Sequence, residues 1–372
     1  MNKLVISNLV HRPLRSAISV IAIAIEVTLI LLIVGLSIGT LNDAAERQKG
    51  IGADIMVSPP GSSFMLGLSS SPMPMKIADV LRKVNHVTAV APVAMQSNTS
   101  GAVEIIDGIV LDQNSPNDFN KIGAPFKFLA GGPFQGPYDM LVDDFVANQR
   151  NIHVGDKQEL MNHEFTVSGV VYHGKGARKF IPLSTLQDLT GSVGKVSMFY
   201  VKVDDPKLAP EVVQAIKQIP GMQNYGVRTM AEYMSMMTVQ NLPGLAIFID
   251  IVIGISMVIG FLVIFQSMYT AVMERTREIG ILKSLGANKM YIINVILRET
   301  LVLSIVGIGL GFLISYLAAM GIRHKFPLQT ILMTAAWAGR AAVIAMIGAL
   351  LGAIYPAFKA AQKDPIDALA YE

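Results

Sequence analysis

The sequence predicts a membrane α-helical protein: four transmembrane helices carrying an α/β domain inserted between helix 1 and helix 2. Three observations predict it. Of 372 residues, 52% are hydrophobic and only 15% are charged, too apolar for an ordinary soluble chain of this length. The apolar residues gather in four long runs, 17–38, 245–272, 292–320 and 335–355. Between the first two runs the pattern turns mixed, with Val- and Ile-rich segments alternating with helix-forming ones.

The first run has 22 residues. At about 1.5 Å per residue it reaches roughly 33 Å, enough to cross a hydrocarbon core. A cleaved signal peptide would share the basic flank of Lys3, Arg12 and Arg15. The run is too long for one, however, and no small-x-small site follows it closely. Orientation follows from basic residues in the short flanks. Lys3, Arg12 and Arg15, then Arg275, Arg277, Lys283 and Lys289, then Lys359 and Lys363 lie on one side, against Arg323 and Lys325 on the other. That places both termini and residues 274–290 in the cytoplasm, and residues 41 to about 244 outside. Gly307-x-x-x-Gly311 and Gly348-x-x-x-Gly352 let helix backbones approach, within one chain or between two. Glu26 in the first span and Asp250 near the outer end of the second are intramembrane carboxylates. They are candidate contacts for a substrate or proton, with a structural hydrogen bond or snorkelling as the plainer role.

Residues 41–50 hold good helix formers, so the first span is expected to continue as a stalk. A matching helix is expected over 230–242, broken or kinked by Pro243-Gly244. Strands are expected at 51–58, 87–93, 103–111, 165–171 and 196–203, and helices at 77–84, 143–150 and 209–219. Some 200 residues bury a proper core, in one or two lobes. The Pro59-Pro60-Gly61 stretch running on to Met75 reads as a loop.

Between the second and third runs lies a charged segment, Glu274–Met290. Glu274 opens a helical turn and Lys283 closes one, as a helix dipole prefers. Glu274/Arg277 and Arg275/Glu278 stand three apart and can pair on a helix surface. Ile279, Leu282 and Leu285 make one apolar stripe, and Gly286 sits where a C-terminal cap belongs. The segment reads as a small amphipathic helix, or more plainly as a solvated connection.

Several chemistries find no support. A net charge of +3 points to no nucleic-acid partner, and the absence of Cys excludes thiolate sites. Gly169 to Lys175 matches the first seven positions of a phosphate-binding loop, but Gly176 stands where the magnesium-binding Ser or Thr belongs. His153, His163 and His173 lack metal-site spacing. The Met residues near 65–75 and 230–237 suit greasy ligands, or haem iron together with Tyr or His, but read first as packing.

The stretch ERTREIGILKSLGANKMYIINVILRETLVLSIVGIGLGFLISY resembles the signature region of the MacB/FtsX-like permease family of ABC transporters. There it reads Glu-Arg-x-x-Glu-Ile-Gly-x-Leu-(Lys/Arg)-x-(Leu/Ile)-Gly-Ala, followed by an apolar helix with a Gly-rich middle. YPAFKAAQKDPIDALAYE is similar to the family's closing pattern, and Asn8-Leu9 with Arg12 and Arg15 to its N-terminal cytoplasmic helix. YDMLVDDFVANQRNIHVGDKQELMNHEFTVSGVV resembles the middle of its outer domain.

The resemblance implies a division into 1–40 (N-terminal cytoplasmic helix and first span), 41–244 (extracytoplasmic stalk and α/β domain) and 245–372 (the other three spans and the tail). It implies a coupling helix at 274–286, a homodimer, and a two-lobed outer domain moved by ATP-driven mechanotransmission. The cytoplasmic ABC ATPase would be a separate chain in two copies, since no Walker A stands outside the imperfect loop. ATP and magnesium would be bound there, and no cofactor or catalytic residue is expected in this chain. Glu274, Arg275, Arg277, Glu278 and Lys283 would make polar contacts to the ATPase. Ile279, Leu282 and Leu285 would anchor the helix, and Gly280 and Gly286 would allow close approach and the turn. The implied work is export of a hydrophobic or amphipathic compound, such as a drug, haem, lipid or peptide, across the inner membrane, with a periplasmic adaptor as a further candidate partner. The alternatives are a non-transporting regulator of a cell-wall hydrolase, and an intramembrane enzyme leaning on Glu26 and Asp250.

Overall fold

The computed structural model describes residues 13–62, 72–98, 104–326 and 329–363. The expected N-terminal helix around Asn8-Leu9, the loop around Met65 and the closing residues from Asp364 lie outside these. In order the elements are α1 (Pro13–Ile51), β1 (Ile55–Ser58), β2 (Met73–Pro74), α2 (Ile77–Leu81), β3 (Val87–Asn98), β4 (Glu104–Ile109), β5 (Phe128–Gly131) and β6 (Asp139–Asp143). Then come α3 (Asp144–Arg150), β7 (Lys157–Leu160), β8 (His163–Val171), β9 (Lys179–Pro182), α4 (Leu183–Leu189), β10 (Lys195–Val196), β11 (Met198–Val203) and α5 (Ala209–Gln218). The chain ends with β12 (Gly226–Thr229), α6 (Met230–Ser235), α7 (Pro243–Glu274), α8 (Thr276–Ser284), α9 (Lys289–Lys325) and α10 (Ala335–Gln362). Two compact units result. One contains α1 up to Gly39 together with α7 to α10, and the other runs from Thr40 to Leu242.

In the first unit α1, α7, α9 and α10 are each long and apolar enough to cross a membrane. Lipid offers the backbone no hydrogen-bond partner, so an apolar run of this length settles as a helix. Both small-residue motifs pack inside the chain. A Cβ on Gly307 would stand 2.7 Å from Ile23, and one on Gly311 2.8 Å from Val27, so α9 presses against α1. A Cβ on Gly352 would stand 2.7 Å from the Phe261 carbonyl, which seats α10 on α7. Ser19 and Ser267 share a buried hydrogen bond of 2.6 Å between α1 and α7. Thr334 starts α10 by accepting the Trp337 N–H.

In the second unit one sheet path runs β12-β1-β11-β3-β4-β9-β6-β8-β5, with β7 beside β8, while β10 and β2 form a separate pair. Strand alternation gives each face its own core. Ile55, Val57, Val90, Ile106 and Phe199 face α2 to α5. Met56, Ala91, Phe180 and Tyr200 face Ile51 of α1, Phe119, Phe126 and α6. The long β3 belongs to both halves of the path: residues from Val87 to Val93 pair β11, and Ala94–Asn98 pair β4.

All five expected strands and all three expected helices occur, with shifted ends. Residues 41–50 do continue α1, which stays helical to Ile51. The helix expected over 230–242 forms only over its first six residues. α6 stops at Ser235, a short 3-10 turn covers Val239–Asn241, and Pro243 opens α7 rather than breaking a helix. Proline suits a first helical position because that N–H has no partner in the helix anyway.

Candidate functional site

The helix expected over 274–286 is shorter. Glu274 is the last residue of α7, Arg275 leaves helical geometry at φ −107°, ψ 16°, and α8 spans Thr276–Ser284. Its end is a Schellman turn. The Gly286 N–H donates to the Lys283 carbonyl, the Ala287 N–H donates to the Leu282 carbonyl, and Gly286 takes φ +97°. Gly286 therefore stands where the cap was expected.

α8 presents two faces. Thr276, Ile279 and Gly280 are buried, Leu282 and Lys283 half-buried, and Arg277, Glu278, Ile281, Ser284 and Leu285 exposed. The expected stripe of Ile279, Leu282 and Leu285 therefore splits. Ile279 packs inward at 9% exposure, while Leu285 stands at 80% beside Ile281 at 44%. A three-residue spacing drifts around a helix with 3.6 residues per turn, so the third member leaves the face of the first.

Arg275, expected on the helix surface near Glu278, is buried. Its Nη1 donates to Glu299 Oε2 of α9 at 3.1 Å. Arg15 of α1 donates to the other oxygen of Glu299 at 3.0 Å and lies 3.9 Å from Glu274. Lys283, expected to face the ATPase, turns to the end of α10. Its ammonium donates to the Ala361 carbonyl at 3.0 Å and to that of Lys363, as suits the negative end of a helix dipole. The sequence reading missed Glu299, although its position inside an apolar run was the available sign. It also missed Ile281. Behind α8 an apolar cavity of about 310 Å³ is walled by Met268, Val272, Ile279, Leu282 and Ile296, with Glu299 at its edge.

The two intramembrane carboxylates are not brought together. Glu26 is 3% exposed, with neither carboxylate oxygen hydrogen-bonded. One of those oxygens occupies the space where a Cβ on Gly260 would be, and Gly348 lies beside the other. A substrate would reach it only if α1, α7 and α10 parted. Asp250 lies on the exposed side of α7 near Ile247 and Ile251.

The glycine-rich loop after β8 leads into β9, not into a helix, so it offers no phosphate site of the kind its sequence mimics. It wraps the end of α1. The Gly176 N–H donates to the Arg47 carbonyl, and a Cβ on Gly50 would strike the Gly174 carbonyl. Among the described residues no group of three or more His, Cys, Asp or Glu is placed to hold a metal.

The family model for the MacB-like periplasmic core domain matches residues 16–219, more than half of the chain, and that for the FtsX-like permease C-terminal region matches 251–365. An uncharacterized ABC transporter permease of Methanocaldococcus jannaschii is 28% identical over 236 residues, covering 60% of this chain and 59% of that protein. The macrolide export ATP-binding/permease protein MacB of Bdellovibrio bacteriovorus is 23% identical over 98% of this chain and 60% of its own length. The chain thus spans about three fifths of the length of these curated relatives. The crystal structure of the periplasmic region of MacB from Actinobacillus actinomycetemcomitans aligns with 51% of this chain and 94% of that one, at 17% identity and a TM-score of 0.39. With four helices able to span a membrane, a domain inserted between the first two and both family regions in order, the chain belongs to the MacB/FtsX-like permease family of ABC transporters.

Proposed function

We propose that the chain is a permease subunit whose helix α8 couples ATP hydrolysis in a cytoplasmic ABC ATPase to motion of the inserted domain. The observation that carries this reading is the pair of exposed apolar side chains on a helix otherwise tied inward. Ile281 and Leu285 stand out with Arg277, Glu278 and Ser284, while Arg275, Ile279 and Lys283 hold α8 to α9 and α10. A partner pushing on the outer face therefore moves the bundle. The docking face consists of Arg277, Glu278, Ile281, Ser284 and Leu285, with Glu274 at its edge. Arg275 and Lys283 are internal fastenings, and Gly280 and Gly286 shape the helix and its turn.

In this reading the termini and α8 lie in the cytoplasm, the inserted domain lies beyond the inner membrane, and two copies pair around two copies of the ATPase. ATP and magnesium belong to the ATPase. The split pairing of β3 supports a domain of two lobes, one from the flanks and one from the middle of the insertion. Work is done by moving these lobes, which fits spans poor in polar residues. The cargo is a hydrophobic or amphipathic compound, a reading supported by relatives named for macrolide export. A periplasmic adaptor is a natural further partner.

The test pairs the full chain with its ATPase in nanodiscs. Leu285→Asp or Glu278→Lys is expected to weaken ATPase binding by at least about tenfold, the factor that about 1.4 kcal/mol supplies, while leaving the helical content unchanged. Unaltered assembly and turnover would remove the coupling role. Hydrolysis answering to a cell-wall hydrolase, and to no exported compound, would favour the regulatory alternative.

A further inference from the structure

The end of α1 is fastened to the inserted domain by a half-buried charged joint. Asp43 Oδ2 accepts from Arg47 Nη1 at 2.5 Å and from Arg178 Nη2 at 3.0 Å. Arg178 Nη1 donates to Asp143 Oδ2, also at 3.0 Å. Asp143 in turn caps α3 by accepting the Val146 N–H. Gln48 accepts from the Tyr200 hydroxyl at 2.8 Å. Asp107 of β4 lies near enough to Arg47 for their charges to interact; it is 1% exposed, with Oδ1 hydrogen-bonded to nothing. Its other oxygen lies against the Gly176 turn, 3.5 Å from where a Cβ there would stand. Three carboxylates, Asp43, Asp107 and Asp143, thus meet two guanidiniums, Arg47 and Arg178. The two that bond arginine are Asp43 and Asp143, and Asp107 is the surplus acid.

We propose that Asp107 holds a proton when this joint is closed, and that losing it loosens the attachment of α1 to the sheet. A buried carboxylate with an unpaired oxygen is costly, and a neutral carboxyl at that site leaves the cluster balanced. Opening lets water reach Asp107, so the ionised form favours the open joint. Burial pushes the Asp107 carboxyl up to about 7, against the Arg47 guanidinium and the Ala177 N–H, which both favour ionisation. Burial raises the Asp143 carboxyl too, but the Val146 N–H and Arg178 bond it and favour its ionised form, contacts that the free oxygen of Asp107 lacks. Burial holds the Tyr200 phenol well above its ordinary value, and the Tyr233 phenol is pushed up to about 12. His173, on the same loop, is bonded to Asp144 at 3.0 Å and is the group to control for.

The sign follows from linkage. Between the ordinary carboxyl value and about 7, the closed joint binds a proton that the open joint does not. Opening therefore grows as pH rises through that window and levels off above it. Acid tightens the joint.

Hydrogen exchange of the full chain in nanodiscs, without ATPase, tests this independently of what α8 docks. After correction for intrinsic exchange, opening of peptides 44–52 and 172–178 is expected to rise up to roughly tenfold per pH unit from about 4 to 7. Asp107→Asn should remove most of the slope, the remainder belonging to Asp143, and His173→Gln should keep it. A flat profile in the native chain, or a slope kept in full by Asp107→Asn or lost in His173→Gln, would overturn the proposal. If Asp107→Asn does not fold, the native and His173→Gln profiles decide by the same criteria.

Discussion

Two charge clusters, one in each unit and each built around a buried acid, show how differently the same residue types are used. In the membrane unit, Arg15 and Arg275 share the two oxygens of Glu299, and Glu274 lies at the edge. Acids and bases are equal in number there, and Glu299 uses both oxygens. In the inserted domain, three aspartates meet two arginines, and one aspartate oxygen has no hydrogen-bond partner. The first cluster is a fixed rivet joining α1, the start of α8 and α9. The second has a spare acid and so responds to pH. Balance of charge, more than depth of burial, separates a fastening from a sensor.

The largest expected effect bears on the rivet. Glu299→Ala leaves the buried Arg275 and the half-buried Arg15 without their shared carboxylate and should cost about 3–5 kcal/mol. Thermal unfolding in detergent, with Arg298→Ala as an exposed control, checks it. A loss no larger than the control's would mean that the membrane cluster is not a fastening.

Next comes Asp107→Asn. Its folded carboxyl is raised from 3.8 to about 7, so its stabilising effect is full below the unfolded value and lost as pH rises to about 7. The native chain should lose at most roughly 4 kcal/mol over that interval relative to the variant. Denaturant midpoints measured at several pH values read the difference. Parallel curves would mean that both clusters are fixed.

Smaller still, Gly307→Leu forces a side chain into the contact with Ile23 and should cost about 1–3 kcal/mol in the membrane unit alone. Domain-resolved hydrogen exchange checks that the sheet is untouched. Smallest is Gly286→Ala, at about 1 kcal/mol, because an alanine at φ +97° is strained. It should fray α8 in exchange measurements and leave the rest of the bundle unchanged.

Much of the fold was legible because local chemistry enforces it. The continuation of α1 through 41–50 could be read from helix formers, and β3, β8 and β11 from Val-rich runs. The missed strands are short or polar. β7 is Lys-Gln-Glu-Leu, and its strand character comes from pairing with β8 rather than from its own propensity. The shortened helix at 230–242 shows the same limit in reverse, since its composition permits a helix that the entry into α7 does not continue. At the candidate site, α8 and its Gly286 turn were readable, but the destinations of its side chains were not.

The sequence by itself determined that the chain has four membrane-length helices, an inserted α/β domain and a capped helix between the second and third spans. Lipid leaves an apolar backbone no partner but itself, and a left-handed turn calls for glycine, so both are local necessities. Tertiary structure alone decided which face of α8 is free, that Arg275 bonds Glu299, that Lys283 closes α10, and that one oxygen of Asp107 lacks a hydrogen-bond partner. Each of these rests on groups from other elements, with Asp43 and Arg178 separated by 135 positions. A side chain's charge is written in the sequence, but its partner is set by whichever elements packing brings within about 3 Å.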